Sequence, residues 1–232
     1  NSPKRKRAME NFKQYSYEDH QNLKRCLFED LELRTSLLKG IYCSGYVKPS
    51  PFQLEVLTSM VEGRNIIVQS QPGKKTILAI SALQLLDIGL RVFHMLLLVP
   101  NQERGKELVD TILVLGDYMP ISVHLCEAGK DAGSNIEKIK GGAQLVIATP
   151  EIVTEMLGKQ GFSLDTLKLL ILEKTDQLLD SFGQQLDRIV EQVPNETQVA
   201  AFFDKSSRDV VQSLEVFIKE PVKILLDNEQ DD

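Results

Sequence analysis

Between residues 28 and 227, short runs of consecutive apolar residues alternate with stretches in which apolar side chains recur every three or four positions. The runs are Asn65–Gln69, Phe93–Val99, Ile121–Cys126, Gln144–Ala148, Leu167–Leu172, Gln198–Phe203 and Val222–Leu226. Unbroken apolar runs of this length fit parallel strands covered on both faces. The intervening stretches read as helices: Ile77, Ile80 and Leu83 share one face, as do Leu108, Ile112 and Leu115, and again Val210, Leu214 and Phe217. Ser50 and Pro51 supply an N-cap and a first-turn proline for a helix running to Met60. Such alternation predicts an α/β fold, a doubly wound parallel sheet in a single domain. Ligands of such sheets bind outside the carboxyl ends of the strands, so those ends are where chemistry is sought.

Composition narrows the function classes. With 42% hydrophobic and 26% charged residues, the 232-residue chain can bury one substantial core. A net charge of −6 argues against a surface coated in nucleic acid. Cys26, Cys43 and Cys126 lie far apart with no CxxC, which points to a reducing compartment and to neither a disulfide frame nor a zinc site. The longest apolar run, Met95 to Val99, is too short to cross a bilayer, so no membrane partner is expected. His20, His94 and His124 are isolated, and His94 reads as a packed core residue.

The ends differ from the middle. Residues 1–27 carry 7 basic and 3 acidic side chains, a balance of +4, and read as a disordered arm. Within it Lys4, Arg5, Lys6 and Arg7 resemble a nuclear-localisation cluster, with a solubilising arm or an RNA contact as competing readings. The expected location is the nucleus, the cytoplasm or both. Residues 28–227 form the expected domain, and 228–232 a short acidic tail.

The stretch Ser70-Gln71-Pro72-Gly73-Lys74-Lys75-Thr76 stands between the run ending at Val68 and a helical pattern, where a phosphate-binding P-loop belongs. Read with Lys75 and Thr76 as the terminal pair, it is one residue short, and Lys74 replaces the glycine before the P-loop lysine. Shortening the arc and adding a Cβ removes the geometry by which backbone N–H groups approach phosphate. Gly73, Lys75 and Thr76 are therefore vestigial nucleotide-binding candidates.

From Phe28 to Leu226 the sequence resembles the first RecA-like domain of the DEAD-box RNA helicases, in their translation-initiation-factor and exon-junction branch. The stretches that carry it are Leu37-Leu38-Lys39-Gly40-Ile41-Tyr42, Lys48-Pro49-Ser50, Leu115-Gly116-Asp117-Tyr118-Met119, Ala148-Thr149-Pro150 and Thr197-Gln198-Val199. The resemblance implies that Phe28 stacks on an adenine and Gln53 reads its edge. The competing reading makes Tyr46 and Phe52 core packing and Gln53 a turn cap.

It also implies an acidic motif, where this chain has Glu173-Lys174-Thr175-Asp176 in place of Asp-Glu-Ala-Asp. Glu173 and Asp176 keep their charge. Lys174 stands where the family's water-positioning base would be, and a protonated amine accepts no proton. No sequence feature favours Lys174 as a stand-in for the metal over a solvated lysine. Phe203-Asp204-Lys205 replaces the Ser-Ala-Thr triplet that couples hydrolysis to strand separation. The segments implied to grip RNA retain Pro100, Gly129, Thr149 and Pro150 but set Glu127 and Glu151 among them, which repel phosphate.

These departures lead to the expectation of a catalytically inactive DEAD-box-like module with no catalytic residue and no metal site. It would act as a protein-interaction or regulatory component in RNA metabolism or translation. The implied partner is a protein, with a helical-repeat scaffold as the candidate and weak or no RNA binding. No cofactor is expected. The alternative is a divergent ATP-dependent RNA helicase half with residual nucleotide or RNA binding, which would use ATP and magnesium with a second RecA-like domain. A third reading is an RNA-binding module using the basic arm.

Overall fold

A computed structural model of the chain describes residues 26–127, 129, 131–204 and 208–225. The 3-10 turn Phe28–Leu31 leads into α1 (Thr35–Cys43), α2 (Pro51–Val61), β1 (Ile66–Gln69), α3 (Lys74–Leu85), β2 (Met95–Leu98) and α4 (Gln102–Leu115). There follow β3 (Val123–Leu125), α5 (Ala132–Lys140), β4 (Leu145–Ala148), α6 (Pro150–Leu157), β5 (Leu169–Glu173) and α7 (Thr175–Val190). The order closes with β6 (Gln198–Phe203), α8 (Arg208–Glu215) and β7 (Val222–Ile224).

The seven strands form one sheet in the order β3-β4-β2-β5-β6-β1-β7, and every pairing is parallel. Their carboxyl ends therefore lie along one edge. Each expected run overlaps its strand, β5 extending one residue past its run to Glu173, and Gln198–Phe203 matches residue for residue. The ladders are shorter than the runs because flanking residues face no strand partner. Phe93, for example, instead accepts a hydrogen bond from the Thr166 hydroxyl.

Period-two alternation divides the apolar runs between two cores. Ile66, Val68, Leu97, Ile171 and Phe202 pack with α1 to α4 on one face. Ile67, Leu96, Leu98, Leu170, Leu172, Ala201 and Phe203 pack with α5 to α8 on the other. Each large side chain so buried contributes about 2 kcal/mol from its removal from water. In the expected Val210–Leu214–Phe217 stripe, Leu214 is buried and the other two pack against the second core from half-buried positions.

Close approaches fix the helices to this frame. A Cβ on Gly40 would fall 1.9 Å from the Leu115 carbonyl oxygen, so only glycine lets α1 rest on the end of α4. Gln198 Nε2 donates to the carbonyls of Met60 (2.9 Å) and Arg64 (2.8 Å), tying the start of β6 to the end of α2. His94 is buried, its Nδ1 donating to the Val92 carbonyl and its Nε2 accepting from the Asp87 N–H. Burial lowers its pKa, which suits the packed neutral ring expected of it.

Cys26 is buried against the first core, so the folded unit takes in the last residues of the expected arm. Lys4, Arg5, Lys6 and Arg7 and the acidic tail lie outside the described residues. Among the described residues no helix is long and apolar enough to cross a membrane. All three cysteines are free thiols, with Cys43 exposed and the other two buried. Burial pushes the Cys126 thiol up to about 12.

Candidate functional site

The loop after β1 decides the register of the phosphate-binding motif. Gly73 adopts φ 89°, and α3 begins at the next residue, Lys74. Set against glycine, four residues, glycine, lysine and a hydroxyl residue, Gly73, Lys74 and Lys75 occupy the last three positions. The turn from β1 to α3 spans only residues 70–73, with Val68 of the strand where the first glycine would stand, and the lysine that reaches the cleft is Lys74, where the sequence pointed to Lys75. Lys74 is buried and sends its ammonium into the cleft, whereas Lys75 is half-buried beside it. Lys75 holds the position after Lys74. Thr76, expected to supply the motif's hydroxyl, sits one residue beyond and donates to the Tyr46 hydroxyl at 3.3 Å.

On the neighbouring side of the loop, Gln53 performs two tasks. Its Oε1 accepts the Ser50 N–H (2.9 Å) while Ser50 Oγ accepts the Gln53 N–H (3.2 Å), a capping box that starts α2. Its Nε2 donates to the Gly73 carbonyl at 3.2 Å and so anchors the loop. Phe52 is core packing, as one reading held, but Tyr46 is 41% exposed and is not. Phe28, which the resemblance implies stacks on an adenine, is 1% exposed with its ring in the first core.

Across the cleft, the ends of β5 and β6 bring carboxylates to Lys74. Its Nζ donates to Asp204 Oδ1 and lies 3.4 Å from Glu173 Oε1. Arg104, from the first turn of α4, donates to the same Glu173 oxygen at 2.7 Å and to Glu107 at 2.6 Å. Lys174 Nζ lies 3.7 Å from Asp204 Oδ2. Asp176, 3% exposed, accepts the Asp204 backbone N–H at 3.4 Å. Lys174 itself holds φ 53° at the N-cap of α7, a left-handed conformation that costs a non-glycine residue about 1 kcal/mol.

Electrostatics follow from these contacts. Burial works against ionisation of Asp204, but the hydrogen bond and charge of Lys74, with Lys174 behind it, outweigh burial and hold its carboxyl below the ordinary range. Burial likewise opposes the Arg104 guanidinium, and its bonds to Glu173 and Glu107 more than compensate, so its pKa rises. Three cations, Lys74, Arg104 and Lys174, face Glu173 and Asp204. The cleft is neutralised from within.

Several features of the cleft oppose a magnesium ion, although Glu173 Oε2 is without a partner. Glu173 is fully buried with one oxygen already taken by Arg104 and Lys74. Lys75 in the hydroxyl position offers no lone pair when protonated, and the charge of Lys174 opposes a second cation. Among the described residues no group of three or more His, Cys, Asp or Glu is placed to hold a metal.

The remaining candidates sit farther along the same edge, after β2, β3 and β4. Pro100 precedes Asn101, whose side chain caps α4 by accepting the Arg104 N–H at 2.9 Å. Gly129 is exposed at φ 78° with open space where a Cβ would stand. Thr149 and Pro150 are buried at the start of α6. Glu103, Glu127 and Glu151 are exposed among them. The structure therefore gathers Gln53, Gly73, Glu173 and Asp176 with Lys74 and leaves the RNA-contact candidates on an edge studded with carboxylates. Sequence reasoning missed Arg104 and the Lys74 pairing of Asp204, whose partners are 69 and 130 residues away. The position of Asp204, the first charge after an apolar run ending at a strand's carboxyl end, was the available signal.

Comparison with known proteins agrees with this geometry. The DEAD/DEAH box helicase family profile matches residues 50–203. The chain is 33% identical over 228 residues to the ATP-dependent RNA helicase FAL1 of Scheffersomyces stipitis, covering 97% of this chain and 57% of that protein. It is 32% identical over 206 residues to eukaryotic initiation factor 4A of Dictyostelium discoideum, covering 88% and 51%. The chain thus spans about half the length of the curated relatives it matches. A variant of S. cerevisiae Dbp5 bound to Gle1 and IP6 superposes with a TM-score of 0.76 at 25% identity, over 86% of this chain and 52% of that one. A DEAD box protein from Methanococcus jannaschii shares the fold with a TM-score of 0.79 at 21% identity, over 85% and 55%. Family profile, relatives and the parallel RecA-like sheet agree: the chain belongs to the DEAD-box RNA helicase family, in its eIF4A-like branch.

Proposed function

We propose that this chain is a catalytically silent DEAD-box-like module that works through protein contacts in RNA metabolism or translation. The observation that carries the reading is the ion pair between Lys74 and Asp204, with Lys174 beside it. The cation that would meet a nucleotide's phosphates is already neutralised by the chain's own carboxylate. The position of the water-positioning base holds an ammonium, and general bases contribute roughly a hundred- to ten-thousand-fold in rate. The carboxylates after β2, β3 and β4 oppose RNA phosphates, so RNA is held weakly or not at all.

A protein partner is supported by the relatives' behaviour: Dbp5 has been solved with Gle1, and with Nup159 and Gle1 together. For this chain the proposed partner is a helical-repeat scaffold. Its proposed place is the nucleus or the cytoplasm, with Lys4, Arg5, Lys6 and Arg7 as the candidate import signal.

The test pairs the chain with the second RecA-like domain of an eIF4A relative and follows RNA-stimulated ATP hydrolysis. No turnover above that of the second domain alone is expected. Turnover abolished by Lys74→Ala would sink the reading.

Family membership and the intact Gln53–Gly73 contact favour a second reading, a divergent ATP-dependent helicase half. It requires that a fluorescent ADP analogue bind in a magnesium-dependent way. Binding indifferent to magnesium removes it.

A further inference from the structure

The phosphate-binding loop retains most of what a metal-free anion site needs. Gly73 turns the chain so that α3 starts directly behind the loop, and no side chain caps that start. Lys74 contributes a buried ammonium, Lys75 follows it in the hydroxyl position, and Lys174 approaches from the end of β5. Glu173 Oε2, at the floor of the same cluster, is buried without a partner, and a water carried in with a phosphate would supply a donor.

One contact stands against such a ligand. Asp204 takes the Lys74 ammonium through Oδ1 and draws Lys174 towards Oδ2. It is placed by β6 and by its own N–H bond to Asp176, so it is presented at high effective concentration. It is also 39% exposed, so it can swing outward into water when a stronger anion arrives. A terminal phosphate carries more charge and more acceptor oxygens than a carboxylate.

We propose that Asp204 is a tethered anion occupying a phosphate site, and that on its displacement Lys74 and Lys174 hold the phosphates of a nucleoside diphosphate without a divalent metal. The inference rests on the magnesium-free cleft proposed above and adds a ligand and a gate to it. Lys174, inert as a base, becomes the counter-ion that replaces the metal.

Titration of the purified chain with a fluorescent ADP analogue in excess chelator tests this. Asp204→Asn and Asp204→Ala each tighten binding by about tenfold or more over wild type. The gain is unchanged by adding magnesium, and Lys174→Ala in the Asp204→Asn background removes it. Failure of both folded Asp204 variants to bind more tightly, or a gain that appears only with magnesium, overturns the proposal. Far-UV circular dichroism identifies a variant that has not folded.

A wild-type measurement needs no substitution. In excess chelator, inorganic pyrophosphate raises the Tm saturably, and the absence of any shift at the highest soluble concentration overturns the proposal whatever the variants do. ATP turnover in the paired-domain assay would strike the reading above. A missing gain in chelator strikes only this one.

Discussion

The two sides of the loop after β1 are held by different physics. On one side Ser50, Gln53 and Gly73 form a neutral hydrogen-bonded set, and Ser50 and Gln53 are three residues apart. On the other, Lys74, Arg104, Lys174, Glu173 and Asp204 form an ionic set drawn from four separate segments. The neutral side serves the fold as well as the cleft, because the same glutamine starts a helix and anchors a loop. The ionic side gathers its charges at the cleft, where Arg104 also keeps the buried Glu173 paired.

The largest expected effect is on the ionic side. Arg104→Ala leaves a fully buried Glu173 short of its 2.7 Å partner and should cost about 3 kcal/mol in urea unfolding. Adding Glu173→Gln should recover part of that loss. No recovery would mean that Arg104 acts through packing and not through charge.

Next, Gly73→Ala forces a side chain into φ 89° and places its Cβ 2.5 Å from Gln53 Nε2, breaking the link between the two sides. A loss of about 2 kcal/mol is expected from the same measurement. Ser50→Ala removes the α2 cap and should cost about 1 kcal/mol, with the ionic side untouched.

The smallest effect is on pH dependence. Asp204 is held below the ordinary carboxylate value of 3.8, so its contribution is complete above that value and is lost as pH falls towards its lower folded-state pKa. Its partial exposure keeps the effect small. Thermal melts across the acid range should show a shallower fall for Asp204→Asn than for wild type, and identical slopes would show that its ion pairs do not stabilise the fold.

Much of the fold was legible because strands buried on both faces must be largely apolar, and the interior strands are apolar except at their ends, at Gln69, Glu173 and Gln198. The edge strand β3 is only half-buried, and the runs Ile121–Cys126 and Phe93–Val99 both overshot their ladders by several residues. The Ser50 cap was legible because capping is local.

The cleft was less so. Lys74 and Lys75 are chemically identical neighbours, and only the left-handed turn at Gly73 and the reach of one ammonium distinguish their roles. The burial of Phe28 depends on how the 3-10 turn packs against the first core, which no motif encodes. Arg104 gave no signal of its own in the sequence, because its partner lies 69 residues further along the chain.

The exposed thiol on α1 has a practical use. Cys43 is open to solvent, while Cys26 and Cys126 are enclosed and burial raises both of their pKa values. A maleimide fluorophore therefore attaches at one defined place among the described residues without cysteine engineering. With an acceptor dye on a candidate scaffold, that position turns the chain into a ready energy-transfer reporter of assembly.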